Sequence, residues 1–521
     1  MRSRRYLTFG LAISGVACAA IGLKGSPTSA SNDQVDLAAH CSQLVGKQFQ
    51  GAQVNKAEFV AAGSKLAPYS DKMAAAFCRA DATIAPSQNS QIKIQIWLPT
   101  DWNGKFLGVG GGGFDGGYAS ASLGLRAAVT AGYAALATNA GHDASPDPKW
   151  ALGNPEKIAD YGHRANHLGA MVGKAVISGF YGKPANLSYF SGCSNGGRDA
   201  LMLAQRYPDD YDAIIAGAPA NDFTGLMASF VRIGKLSRRP GVDLIPAKLN
   251  LVHDAAVAKC DAIDGLKDGL IGRPNQCSFN PAVLQCKNEA GTGCLSLADV
   301  QVVQDIYRGT YSATGKLIMP GLPVGSEYEW SGWLTSSQAA GPSMGKNFYR
   351  NMVIEDRDWE TSAFELDRDY VVARTKVGPV IDATNANLRP FFKKGGKLLI
   401  YHGWDDAAIP AGNTLNYYAA LKRATGKFAS KQTRLFMLPG VSHCSGGHGP
   451  GSVDYLAALD KWMASGRAPN QLVADKPENP FRAMGGLPTK SLLSRPICAW
   501  PKIAKYKGSG PVTEASSFTC K

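Results

Sequence analysis

The sequence predicts an α/β protein with a mainly parallel sheet and a large inserted lid. Three observations carry this. Strand-like runs alternate with helical stretches near both ends of the chain. A Gly-x-Ser-x-Gly pentapeptide, Gly192-Cys193-Ser194-Asn195-Gly196, directly follows one such run. Residues 222–370 lose the rhythm and carry four cysteines, clustered acids and many Gly and Pro instead.

The first thirty residues stand apart from the fold. Arg2, Arg4 and Arg5 precede an apolar stretch from Tyr6 to Leu23, and small residues follow up to Thr28-Ser29-Ala30. This three-part pattern reads as a secretory signal peptide over 1–30. Val16-Ala17-Cys18 resembles a lipid-attachment site, although Gly15 stands where a larger aliphatic residue belongs, so anchored and free export both stay open. No later segment has eighteen uninterrupted apolar residues, and no membrane span is expected. The cysteines agree with a secreted or periplasmic location. Of 11, Cys18 lies in the leader, which leaves an even number for disulfides. Nearest neighbours suggest Cys41–Cys78, Cys260–Cys277, Cys286–Cys294 and Cys498–Cys520, which leaves Cys193 and Cys444 for each other. Sequence alone does not decide the pairing.

Residues 31–221 and 371–521 form the sheet domain of this reading. Gln91 to Leu98 alternates polar and apolar residues, as a half-buried strand does. Phe106 to Gly110 is the next strand and runs into glycines, and Ala134 to Thr138 is another. Leu187-Ser188-Tyr189-Phe190 leads into the pentapeptide, and a helix follows over 198–206. Asp212 to Ala218 reads as a buried strand. After the insertion come strands at Lys397–Tyr401 and Arg434–Leu438, with a helix over Asn413–Arg423 between them. At 521 residues, 45% hydrophobic and 18% charged, the chain is globular and long enough for a large core. The net charge of +14 is scattered without a dense block, which argues against a nucleic-acid partner.

The pentapeptide places Ser194 on a sharp strand-to-helix turn, where flanking glycines remove Cβ atoms that would collide. A serine hydroxyl is a weak nucleophile. It needs a histidine to take its proton and a carboxylate to orient that histidine. In α/β-hydrolases the order along the chain is Ser, then Asp or Glu, then His. His443 follows a late strand, and Asp405 and Asp406 follow the strand ending at Tyr401. Both loops leave the same end of a parallel sheet, where such sites assemble. Either acid fits on these grounds. The blander reading is a glycine turn and a buried polar histidine.

An oxyanion hole needs two backbone N–H groups. One is expected from Asn195 and the other from the loop Gly110-Gly111-Gly112-Gly113, where glycine lets the backbone approach a substrate. A phosphate loop is the alternative, but no Gly-x-Gly-x-x-Gly opens a helix here. Asp261, Asp264 and Asp268 lie within eight residues, among two Asp-Gly steps. Hard oxygen ligands on tight turns suit Ca²⁺, and the carbonyls of Leu266 and Leu270 complete a shell. The other reading is a solvated turn. His142 reads as structural, and His163, His167, His253 and His448 show no metal spacing. Trp330, Trp333, Phe348, Tyr349 and Trp359 are either the wall of an aromatic pocket or lid core.

Taken together, three segments resemble the tannase and feruloyl esterase family, secreted serine esterases with an α/β-hydrolase fold and a lid. They are Gly192 to Arg198, Tyr401 to Asp406 and Pro439 to Gly447. The likeness extends from Trp102-Asn103-Gly104 to Tyr506-Lys507-Gly508-Ser509-Gly510. The resemblance implies a triad of Ser194, Asp406 and His443, with Asp406 rather than Asp405 as the acid. It also implies Gly113 as the second oxyanion donor, a Cys193–Cys444 bond beside the triad, and a structural lid Ca²⁺ on Asp261, Asp264, Leu266, Asp268 and Leu270. The family includes terephthalate-monoester hydrolases with a lid arginine that holds the free carboxylate. Here Ala340 to Gly345 has no arginine, Lys346 and Arg350 lie out of register, and Ile409 stands where those enzymes have Phe. The expected activity is hydrolysis of small aromatic acyl esters, feruloyl- or galloyl-type, through an acyl-enzyme. The alternatives are a terephthalate-monoester or general aryl esterase, and a catalytically silent binding protein.

Overall fold

Ten strands form one sheet in the computed structural model, which describes residues 37–67, 69–114, 116–145, 147–287 and 291–521. The predicted leader and Cys18 lie outside those residues. In chain order the strands before the insertion are β1 (Gln48–Phe49), β2 (Ala52–Val60), β3 (Phe77–Ile84), β4 (Ile92–Pro99), β5 (Lys105–Val109), β6 (Ala134–Thr138), β7 (Leu187–Cys193) and β8 (Ala213–Gly217). The insertion contributes a separate hairpin, β9 (Gly309–Tyr311) and β10 (Leu317–Pro320), and the main sheet resumes with β11 (Lys397–Gly403) and β12 (Thr433–Leu438). The spatial order is β1-β2-β3-β4-β6-β5-β7-β8-β11-β12. Pairings from β6 through β12 are parallel, and those from β1 to β6 through β4 are antiparallel.

The central strands are apolar on both faces, as parallel strands covered by helices must be. β8, Ala-Ile-Ile-Ala-Gly, is buried throughout. Successive residues serve opposite cores. Phe190, Ile214 and Ile400 join one, and Tyr189, Ile215 and Leu399 join the other. The strands anticipated from the sequence appear with small shifts at their ends. β2 and β3 were not anticipated. Their inward positions are partly alanine (Ala52, Ala80, Ala82), which carries little strand signal.

Between β8 and β11, no described residue joins the main sheet. That stretch holds the helices Phe223–Ser237, Pro246–Cys260, Leu297–Arg308, Ala340–Phe348 and Leu366–Lys376 around its own core, with Trp330, Phe348 and Tyr349 fully buried. The core continues onto the sheet domain through Phe114, Tyr161 and Ala407 to Ile409. Residue 370, the expected end of the lid, falls within the helix Leu366–Lys376. This helix is tied to the start of Phe223–Ser237 by an Arg374–Asp222 pair at 2.8 Å.

Five disulfides link Cys41–Cys78, Cys193–Cys444, Cys260–Cys277, Cys286–Cys294 and Cys498–Cys520, the pairing that neighbours suggested. Among the described residues, no helix is long and apolar enough to cross a membrane.

Candidate active site

The ends of β7, β11 and β12 deliver the three residues in question. β8 lies between β7 and β11, so the loops after all three strands open on one edge of the sheet. Ser194 occupies the turn from β7 into the helix Asn195–Arg206, with φ 64° and ψ −122°. A side-chain-bearing residue adopts such a backbone only when its surroundings impose it. Here the Ser194 N–H donates to Gly217 O at 3.0 Å, and its carbonyl accepts from Arg198 N–H at 3.0 Å and Ala220 N–H at 3.1 Å. The glycines are sterically required. A Cβ on Gly192 would lie 2.5 Å from the Gly196 carbonyl, and one on Gly196 would lie 2.7 Å from Gly111 O.

His443 bridges Ser194 and Asp406. Its Nε2 lies 2.9 Å from Ser194 Oγ and its Nδ1 lies 2.8 Å from Asp406 Oδ2. Asp406 is fully buried, and its Oδ1 accepts the N–H groups of Ala408 and Ile409, each at 2.8 Å. Burial would raise its pKa. The His443 charge and hydrogen bonds from His402 and His443 outweigh burial and hold the carboxyl well below its ordinary range. His402, four residues earlier, places Nε2 3.2 Å from the same Asp406 oxygen, while its Nδ1 faces Thr414 Oγ1 at 2.8 Å. Asp405 turns away toward the inserted segment, where its Oδ2 lies 3.4 Å from Tyr328 Oη.

Asn195 and Gly113 are tied together by Tyr161. The tyrosine hydroxyl lies 2.9 Å from Asn195 Oδ1 and 3.0 Å from Gly113 O. Gly113 has φ +61°, and nothing lies within 4 Å of where its Cβ would be, so this turn is open. Arg198, wholly buried, donates through Nε to Asn195 Oδ1 at 2.6 Å, and its guanidinium stands 4.7 Å from the Tyr161 ring centroid. Cys193–Cys444 joins the residues next to Ser194 and His443. The arrangement has the parts for acyl transfer: a hydroxyl against an imidazole, a buried carboxylate behind it, and a glycine turn facing the start of a helix.

The profile named "Tannase and feruloyl esterase" matches residues 78–521. The chain belongs to this family. It is a carboxylic ester hydrolase. An uncharacterized esterase of Xanthomonas campestris pv. campestris is 34% identical over 556 aligned residues, covering 96% of this chain and 93% of that one. A probable feruloyl esterase B-2 of Aspergillus terreus is 30% identical over 526, covering 95% and 97%. The crystal structure of feruloyl esterase B from Aspergillus oryzae superposes with a TM-score of 0.84 at 28% identity, covering 93% of this chain and all of the other.

Within this member of the tannase and feruloyl esterase family, the aromatics of the inserted segment divide. Trp330, Phe348, Tyr349 and Trp359 are part of its core. Trp333 stands edge-on to His443, with ring centroids 5.1 Å apart and an interplanar angle of 77°. Lys346 and Arg350 both pair with Glu360. His142 is buried and stacked on Trp150 at 3.8 Å, and His163 and His167 bond to Tyr207 and Asp210.

The acidic loop is a series of turns. Asp261 accepts from the N–H groups of Asp268 and Gly269, Asp264 from Leu266, and Asp268 from Leu270. Asp264, Leu266, Asp268 and Leu270 line one cavity of about 40 Å³, while Asp261 sits behind it as a brace. Arg495 holds Asp268 Oδ2 at 2.8 Å. Among the described residues no three His, Cys, Asp or Glu side chains gather as a metal-ligating cluster. Burial, with the neighbouring charges of Asp268 and Asp261, pushes Asp264 up to about 6.

Tyr161, His402 and Arg198 were not singled out for roles at the site. Arg198 lies on the first turn of the helix Asn195–Arg206, beside Asp199, and is wholly buried.

Proposed function

We propose that this chain is an exported serine esterase that cleaves aromatic acyl esters of feruloyl or galloyl type. The observation that carries the reading is the His443 ring, bonded to Ser194 on one side and Asp406 on the other. Ser194 Oγ forms a bond to the ester carbonyl carbon while its proton passes to His443 Nε2. Asp406 holds the imidazole in the tautomer that can accept it. The carbonyl oxygen, now negative, is held by the N–H groups of Asn195 and Gly113. The tetrahedral species collapses, the C–O bond to the alcohol breaks, and His443 returns the proton to the departing oxygen. Water then adds to the acyl-enzyme, losing its proton to His443, and the acid leaves as Ser194 recovers its hydrogen.

The aromatic preference is supported by Trp333 beside His443 and by two of the relatives, one named a probable feruloyl esterase and one solved as feruloyl esterase B. Terephthalate monoesters are less well served, because the lid cations that could meet a free carboxylate are engaged by Glu360. Five disulfides support export to an oxidising compartment. Asp264, Asp268 and the carbonyls of Leu266 and Leu270, backed by Asp261, would hold a Ca²⁺ whose part is structural.

The test is turnover on a panel of feruloyl, galloyl, chlorogenic and terephthaloyl esters, run with fluorophosphonate labelling. Feruloyl or galloyl turnover above the rest, with the label on Ser194, is the expected result. A chain that takes no label is a silent binding protein, and one fastest on terephthaloyl esters reverses the substrate assignment.

A further inference from the structure

Asp405 and Ser442 each stand one residue before a member of the triad, and one hydroxyl from the inserted segment reaches both. Tyr328 lies in the short turn Glu327–Glu329. Its Oη is 2.9 Å from Ser442 Oγ and 3.4 Å from Asp405 Oδ2. Ser442 Oγ donates to Glu329 Oε1 at 3.1 Å. The two catalytic loops also meet through their backbones, where Asp405 N–H donates to Val441 O at 2.9 Å.

Counting hydrogens orders this chain. Ser442 has one proton and gives it to Glu329, so it accepts from Tyr328. Tyr328 has then used its only proton, and a satisfied contact with Asp405 requires the carboxyl to donate. With Glu329 as the terminal acceptor, the donors run Asp405 to Tyr328 to Ser442 to Glu329, whereas the opposite run ends on Asp405 and needs the proton on Glu329. Burial, with the nearby Glu327 charge, drives Asp405 well above the ordinary carboxyl range, in accord with a protonated acid. The other titratable groups around it are Glu329 on the same turn, His253 on the helix Pro246–Cys260, and His448 on the loop after β12. His253 Nδ1 lies 3.5 Å from Glu327 Oε2, and His448 stands 4.5 Å from the Tyr328 ring. Tyr307 bonds Glu327 from the helix Leu297–Arg308, and Lys476 bonds the His448 carbonyl.

We infer that Tyr328 is a positioning residue for ester hydrolysis: its hydroxyl holds the Asp406 loop and the His443 loop in register, and it makes that register depend on the inserted segment being seated. The inference rests on the triad reading given above. Tyr328 does not touch the reacting atoms. It acts through the residues that precede Asp406 and His443.

The test is Tyr328→Phe, which removes the hydroxyl and leaves the ring against His253 and His448. The expected result is a kcat lower by about tenfold with KM within about twofold, and fluorophosphonate labelling of Ser194 slowed in the same proportion. Asp405→Asn donates to Tyr328 without titrating, so its kcat should hold to higher pH than that of the wild type. Wild-type kcat and labelling rate in Tyr328→Phe overturn the inference, as does an alkaline limb that Asp405→Asn leaves in place. If Tyr328→Phe does not fold, Ser442→Ala removes the same link and is read the same way. Ser194→Ala is assayed alongside. Full activity there removes the triad reading itself, whereas its loss beside an unaffected Tyr328→Phe removes only this inference.

Discussion

Arg198 and Asn195 are joined by a 2.6 Å hydrogen bond at the start of the helix that follows Ser194. The remaining donors of the buried guanidinium reach Gly162 O, Ile381 O, Tyr161 O and Asp199 Oδ1. Arg198 thus braces both the Asn195 side chain and the Tyr161 backbone. Asp199 is buried beside it, and burial pushes that carboxyl up to about 6 against the pull of the arginine. Arg198→Met should cost about 3–5 kcal/mol, because it strands a buried acid. Denaturant melts at pH 7 measure this, and a cost below about 1 kcal/mol would refute it.

The triad geometry predicts unequal effects for neighbouring acids. Ser194→Ala should lower kcat by about 10⁴-fold or more. Asp406→Asn should be far more damaging than Asp405→Asn, since only Asp406 meets His443. Steady-state kinetics on one feruloyl ester ranks the three, and a worse Asp405→Asn would reverse the acid assignment.

The same two acids titrate in opposite senses. Asp406 is held below its ordinary pKa, so its contribution to stability is present above about pH 4 and is lost as pH falls through the depressed value. Asp405 is held above, so its contribution is full below about pH 4 and fades as pH rises toward the raised value. Asp405→Asn removes the second effect. Its melting temperature should therefore exceed that of the wild type at alkaline pH and fall to or below it near pH 4. Curves that stay parallel across that range would contradict the assignment.

Cys193–Cys444 closes a loop with a sequence separation of 251. Loop-closure models value such a bond at about 5–6 kcal/mol. Replacing both cysteines with alanine should lower the melting temperature and should lower kcat more than KM, because the bond spans the two loops that carry nucleophile and base. Retention of full kcat would confine the bond to a role in stability.

For the acidic loop, chelation should lower the melting temperature and added Ca²⁺ should restore it, since an ion that binds only the folded chain stabilises it. Asp264→Ala should abolish the response while leaving the triad in place. Protein shown to be metal-free, with a melting curve indifferent to calcium, would remove the site.

Much of the sheet was readable because its strands are short apolar runs bounded by Gly, Pro or Asp, from β4 through β8 and again at β11 and β12. β2 and β3 escaped notice because alanine fills inward positions where a larger residue would have marked the alternation. The insertion was readable only as a break in rhythm, since no strands alternate with its helices Phe223–Ser237, Pro246–Cys260 and Leu297–Arg308 to mark a sheet. Ser194, His443 and a pair of acids were legible because strand-end loops announce themselves locally. The choice of Asp406 over Asp405 came from resemblance, and in the structure it reflects which carboxylate faces the imidazole. Tyr161, His402 and Tyr328 had no local signature. Tyr328 is 114 residues from Ser442, and only the folded chain brings them together.

The bond between Cys193 and Cys444 also has a topological meaning. It makes one covalent ring that contains the whole inserted segment and the two smaller rings closed by Cys260–Cys277 and Cys286–Cys294. A single proteolytic nick anywhere between Ser194 and His443 therefore cannot release either half of the molecule. The two pieces stay linked beside Ser194 and His443, so these ends of the fold are held together even after the connecting chain is cut.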